Sequence, residues 1–118
     1  MRAKDALGQY GERVAVRHLR DAGLTILATN WRCNEGEIDI VARERDVVVF
    51  CEVKTRRSAL FGVPAEAVTR TKADRLRRLA MRWLREHPAG TADLRFDVVS
   101  VLLPKVGAPA IEHLRGAF

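Results

Sequence analysis

The residues with the clearest chemical potential are Glu52 and Lys54, which close the apolar run Val47-Val48-Val49-Phe50-Cys51. A run so rich in β-branched side chains predicts a strand buried on both faces. Side chains alternate along a strand, so Glu52 and Lys54 share one face, about 6–7 Å apart at the usual rise. A charged pair on such a strand is costly to bury unless partners or a metal ion compensate it. Asp39 stands thirteen positions upstream in a second apolar segment, Ile38-Asp39-Ile40-Val41. Two carboxylates and a lysine converging from neighbouring strands are what metal-dependent cleavage of a phosphodiester needs.

Mg²⁺ and similar ions take oxygen ligands and keep several waters, so one or two carboxylates suffice to bind one beside a phosphate. Such an ion polarises the phosphate and lowers the pKa of a water. Asp39 and Glu52 are the candidate ligands, with the backbone carbonyl of Val53 as a third oxygen. Lys54 is placed to orient the attacking water or to meet charge developing on the phosphate oxygens. Glu12 lies on a predicted first helix, sharing a side with Gly8, Ala15, Val16 and Leu19. Gly8, Gly11 and Ala15 would let that helix approach the sheet closely, so Glu12 could complete the metal site or bind a second ion. Glu37, on the strand face of Asp39, is a weaker alternative ligand. Asp97, in Arg95-Phe96-Asp97-Val98-Val99, is weighed as a site residue against pairing with a basic group or capping a neighbouring segment.

The elements that must position these groups follow from periodicity. Residues from about 4 to 22 have a helical pattern, with Leu7, Tyr10, Val14 and Leu19 near one stripe and Gly23 as a stop. Apolar segments at 24–28, 38–42 and 47–53 are separated by Asn34-Glu35-Gly36 and Arg43-Glu44-Arg45-Asp46, which predicts an antiparallel meander. A loop over 55–63 containing Gly62 leads to Pro64, which suits the first turn of a helix. That second helix is expected from 64 to 86, with Ala67, Leu76, Leu79, Ala80 and Trp83 inward. Strands at 94–103 and 110–114 complete the order α-β-β-β-α-β-β, one α/β domain with a mixed β-sheet flanked by helices.

Composition narrows the function classes. The chain has 118 residues, 47% hydrophobic and 31% charged, which is the profile of a soluble globular protein. No apolar run approaches the roughly 20 residues that span a membrane, and no h-region follows Met1. Cys33 and Cys51 lack metal-ligand spacing, so reduced thiols, a cytoplasmic location and no structural zinc are expected. The histidines, His18, His87 and His113, are far apart and expected at the surface or in caps. Trp83 belongs to a core stripe, whereas Trp31 is read at a turn. From Lys54 to Arg85, ten basic residues face two acidic ones, a local charge of +8 within a net +6. Seventeen of the 21 basic residues are arginine, whose planar fork suits phosphate oxygens. Arg75, Arg78 and Arg82, at i, i+3 and i+7, form a stripe, and with Arg56, Arg57 and Lys72 they are the candidate contacts to nucleic acid.

Several motifs in order resemble the YraN family of uncharacterised bacterial proteins. They are Gly8-Gln9-Tyr10-Gly11-Glu12, Asn30 through Asp39, Phe50 through Arg56, Phe61 through Val68, Thr71-Lys72 and Arg95 through Val99. That family is grouped with the restriction-endonuclease-like fold, the PD-(D/E)XK nucleases, and is similar to archaeal Holliday junction resolvases in using an acid on the first helix. The resemblance implies a single restriction-endonuclease-like domain over 1–118. It assigns Asp39, Glu52 and Lys54 to the nuclease signature and Glu12 to the helix acid. It further implies Mg²⁺ or Mn²⁺ and a homodimer. Ile38 stands where the signature's name has proline. The expectation is a metal-dependent endonuclease on DNA, rather than RNA, and on branched or structured DNA. The alternative is a nucleic-acid-binding module of the same fold with little or no cleavage.

Overall fold

The computed structural model describes residues 5–57, 69–90 and 92–118. Its first element, helix α1 (Ala6–Asp21), starts where the Asp5 carboxylate accepts the Gly8 N–H at 2.7 Å, an N-cap that satisfies one orphan donor. It stops before Gly23, whose φ of +96° is a conformation that favours glycine. Three strands follow, β1 (Thr25–Cys33), β2 (Gly36–Glu44) and β3 (Val47–Arg56). Helix α2 (Arg70–Glu86) leads to β4 (Asp93–Leu102) and β5 (Ala110–Leu114). The expected order is therefore the observed one.

The strands form one sheet in the order β1-β2-β3-β4-β5. β1, β2 and β3 are the expected antiparallel meander, β4 runs parallel to β3, and β5 is antiparallel to β4. β3 is thus central, which explains why Val48, Val49, Phe50 and Cys51 have no exposed surface. One face of the sheet, carrying Ile40, Ala42, Val49, Cys51 and Val99, packs on Ala15 and Leu19 of α1. The other, carrying Ile38, Val41, Val48 and Phe50, packs on Leu76, Leu79, Ala80 and Trp83 of α2. Phe50 meets the Trp83 ring edge-on at 5.9 Å.

Four expectations change. The buried side of α1 is Gly11, Glu12, Ala15 and Leu19, while Tyr10 is 43% exposed, because the small residues permit the close approach that a tyrosine face would forbid. Trp31 lies within β1, paired with Ile38, and not at a turn. α2 begins at Arg70, where Thr69 has an extended backbone and its hydroxyl accepts the Lys72 N–H, so the helix does not run unbroken from 64. Pro64, Ala67, Gly62 and the motif 61–68 lie outside the described residues. His113, finally, is no surface group: its side chain is largely buried against Asp97.

Asp97 is the fold's main polar tie, as pairing with a basic group would have it. Its fully buried carboxylate accepts from Arg95 Nε at 2.9 Å and Nη2 at 3.0 Å, and from the Gly116 N–H at 2.9 Å. His113 Nε2 lies 2.7 Å from it. Arg95 also reaches Glu44 of β2 at 2.8 Å, as does Arg115, so the cluster joins β2, β4, β5 and the chain beyond. Burial alone would raise the Asp97 pKa, but hydrogen bonds from His113, Arg95 and Gly116 outweigh it and lower the value to about 2. A depressed carboxylate stabilises the fold above its unfolded pKa, and the contribution disappears as pH falls from about 4 to about 2. A shift of this size corresponds to roughly 2 kcal/mol at neutral pH. Asp97→Asn is therefore expected to lower stability at pH 7 by at least that amount and to flatten stability between pH 2 and 4, read by urea titrations. An unchanged acid slope would contradict this.

Candidate active site

The site forms where β2 and β3 part. Their pairing runs from Glu44–Val47 to Ile40–Cys51. At the next step the Val53 N–H donates to Asp39 Oδ2 at 2.8 Å, a side chain continuing the junction where strand pairing has stopped. Alternation along β2 also breaks here, since Ile38 packs on the α2 side and Ile40 on the α1 side. On β1, between the Thr29–Ile40 and Trp31–Ile38 pairs, Asn30 adopts φ +51°, a left-handed conformation that asparagine tolerates. The local irregularity thus re-aims Asp39 without breaking the strand.

Glu52 and Lys54 lie just beyond, half-buried, with Lys54 Nζ 3.3 Å from Glu52 Oε1. Both line a cavity of about 900 Å³ together with Asp39, Val53 and Glu12. Glu12 reaches it from α1 and is only 7% exposed. Its depth follows from Gly11, which lies directly on Thr55 of β3: a Cβ there would overlap the Thr55 hydroxyl and stand 2.8 Å from Thr55 Cβ. The expected ligand residues are therefore brought together from three elements. Glu37 lines the cavity as well, but its carboxylate is 3.1 Å from Arg32 Nε, which offsets its charge. Asp97, by contrast, belongs to the separate cluster of β4 and β5.

The candidate nucleic-acid contacts divide. Lys72 and Arg75, on the first turns of α2, line the same cavity. Arg78 is exposed one turn further along. Arg82 is turned to the protein, with Nη1 2.5 Å from Asn34 Oδ1 and both Glu35 and Glu86 within 4 Å. Arg57 lines a different, smaller cavity with Tyr10 and Pro104, while Arg56 ends β3 and lines neither. The Lys54 ammonium, followed by partial burial, holds the Lys72 pKa below the usual lysine value. The proximity of these two ammoniums was not legible in the sequence, where a loop and a helix start separate them. Cys51 is on the opposite face, and burial raises its thiol pKa, which removes it as a nucleophile.

Asp39, Glu52 and Glu12 offer hard oxygen donors without nitrogen or sulfur, the set that suits Mg²⁺ or Mn²⁺. Among the described residues, no three His, Cys, Asp or Glu side chains stand near enough to enclose a metal ion. An ion held by these carboxylates would therefore complete its shell with waters and a substrate oxygen, as Mg²⁺ readily does. The wall carries five acidic side chains and three cationic ones, among them the Glu52–Lys54 pair. Among the described residues, no helix is long and apolar enough to cross a membrane.

Comparison with known proteins agrees with the shared sequence motifs. The model of a family described as uncharacterised protein family UPF0102 matches residues 11–101. A UPF0102 protein of Frankia alni is 60% identical over all of this chain and 98% of its own length. One from Beutenbergia cavernae is 60% identical over 98% of each chain, and one from Streptomyces coelicolor is 57% identical over 98% of this chain and 91% of its own. The chain belongs to the UPF0102 family of uncharacterised proteins.

Proposed function

We propose that this cavity hydrolyses phosphodiester bonds in nucleic acid, DNA before RNA, with Mg²⁺ or Mn²⁺ held by Asp39, Glu52 and the Val53 carbonyl and with Glu12 adding charge to the metal site. The carrying observation is that these residues share one cavity with Lys54, Lys72 and Arg75. When bound, the ion supplies charge neutralisation at the phosphate and a water of lowered pKa. The Val53 N–H fixes one oxygen of Asp39, so that carboxylate is oriented before substrate arrives. Glu52 steadies the Lys54 ammonium, which donates to a phosphate oxygen or to the attacking water as charge develops. Glu12 adds negative charge from a buried position, where its interaction with a cation is weakly screened. The restriction-endonuclease-like class, branched or structured DNA and a homodimer acting on it are parts of the same proposal.

The test is incubation of the purified protein with labelled duplex, single-stranded and four-way-junction DNA in Mg²⁺, Mn²⁺ or EDTA. Metal-dependent cleavage of at least one substrate is expected, with two chains per junction by sedimentation velocity. No cleavage of any substrate sinks the enzyme, and salt-sensitive binding alone would leave the binding module. Exposed Arg78 is expected to act only in attraction: Arg78→Ala should lower the slope of log affinity against log salt by about one and leave turnover unchanged. Equilibrium binding at several salt concentrations reads this directly.

A further inference from the structure

We propose that the smaller cavity, across α1 from the carboxylates, takes an unpaired nucleotide, its base against Tyr10 and its phosphate at Arg57. This deepens the nuclease reading and rests on it only for the strand that continues into the larger cavity. Tyr10 is 43% exposed although it lies two residues from the buried Glu12. At 3.6 residues per turn the two are about 200° apart around the helix. One helix therefore turns an acid to the larger cavity and an aromatic ring to the smaller, while Leu7 lines both. β3 repeats the arrangement: Gly11 of α1 lies on Thr55, Lys54 lines the larger cavity, and Arg57, just past the strand, lines the smaller. Three residues of chain span no more than about 11 Å, so a strand held at Lys54 reaches Arg57 within a few nucleotides.

The make-up of the cavity selects the occupant. Its volume is about 330 Å³, within the roughly 300–1,000 Å³ usual for small-ligand sites. Leu103, Pro104 and Pro109, between β4 and β5, supply apolar surface, and proline fixes φ, so little ordering is left for binding. The Arg13 guanidinium stands 5.9 Å from the centroid of the Tyr10 ring, a cation–π contact that steadies the ring and adds a second positive charge. Among the described residues, no acidic side chain lines this cavity, in contrast to the larger one. Apolar faces, an exposed aromatic ring and cations without carboxylates fit a flat base with an anionic phosphate. A paired base is held in its duplex stack, so the site favours single strands, gaps and flaps over continuous duplex.

The probe is a five-residue oligothymidylate, titrated in EDTA and followed through backbone amide shifts. Shifts are expected at 6–10 and 105–108, with the dissociation constant rising about tenfold in Tyr10→Ala and staying within about threefold of wild type in Tyr10→Phe. An oligomer abasic at every position should bind the wild type about tenfold more weakly and lose nothing further in Tyr10→Ala, a coupling that a merely structural tyrosine would not give. Arg57→Ala should lower the slope of log affinity against log salt by about one. Wild-type shifts elsewhere, or none, overturn the site, as does Tyr10→Ala binding like wild type. Loss of self-association in Tyr10→Ala with oligomer binding intact would give this face to a second copy of the chain and overturn it equally. Where the wild type cleaves DNA, Tyr10→Ala should lower the kcat/KM ratio of gapped to fully paired duplex by about tenfold. Absence of cleavage by the wild type counts against the nuclease reading alone, because binding in EDTA still decides the nucleotide site.

Discussion

Glu52→Gln is expected to reduce metal-dependent cleavage by about 10²–10³-fold while leaving the fold intact. The substitution preserves shape and one oxygen but removes a unit of negative charge from the cavity wall. It also releases Lys54, whose ammonium is 3.3 Å from the Glu52 carboxylate, so the lysine loses its aim as well. Asp39→Asn should behave alike for a different reason. Its amide oxygen can still accept the Val53 N–H, so the join between β2 and β3 survives while the ligand charge does not. The two residues act as a unit, and the double variant should fall little below either single one. Single-turnover cleavage at saturating DNA, with urea titration alongside, separates chemistry from unfolding. Activity within about tenfold of wild type in both variants would remove these carboxylates from the reaction. Calorimetric titration with Mn²⁺ gives an independent reading, with binding expected in the wild type and lost in Asp39→Asn.

That the sequence singles out these residues follows from the character of β3. A β-branched run that ends in Glu52 and Lys54 violates the expectation for a central strand, and a violation of that kind usually has a compensating purpose. The strand lies at the middle of the sheet, so the conflict is real and not an edge effect. Asp39 was legible as an acid in an apolar segment, but its aim was not. Simple alternation would place Ile38, Ile40 and Ala42 on one face, and only the irregularity opposite Asn30 turns Asp39 toward Val53. Tyr10 misled for a related reason, since hydrophobicity ranked it above Gly11 as a packing residue. Packing distance reverses that ranking, because the helix is close enough to the sheet that only hydrogen fits. Lys72 and Asp97 were placed by long-range contacts that no local pattern encodes. The first lines the same cavity as Lys54 from α2, and the second gathers Arg95, His113 and Gly116 from β4 through the C-terminal segment.

Gly11→Ala is expected to destabilise the fold, and its sign is a contest between two terms. Alanine is the better helix former by about 1 kcal/mol, so in an isolated α1 the substitution would stabilise. Against the sheet, the new methyl would collide with the Thr55 hydroxyl and lie 2.7 Å from Thr55 Cγ2 and 2.8 Å from its Cβ. A Cβ is anchored to the strand backbone and cannot rotate away, so α1 must lift. Overpacking of this kind costs about 1–3 kcal/mol, occasionally more, and a contact with anchored atoms belongs at the upper end. A net loss of roughly 2 kcal/mol is therefore expected by urea titration. Thr55→Ala removes the hydroxyl and Cγ2 but keeps Cβ, so the Gly11→Ala/Thr55→Ala double variant should recover part of the loss, with a coupling of about 1 kcal/mol in the double-mutant cycle. Stability equal to or above wild type in Gly11→Ala would show that the helix can lift freely. The same displacement moves the neighbouring Glu12 out of its buried position, and Mn²⁺ affinity should fall with stability and return with it in the double variant. Close packing of α1 on β3 is thus what binds the fold to the site, since one missing methyl lets a helix carry its acid to the strands.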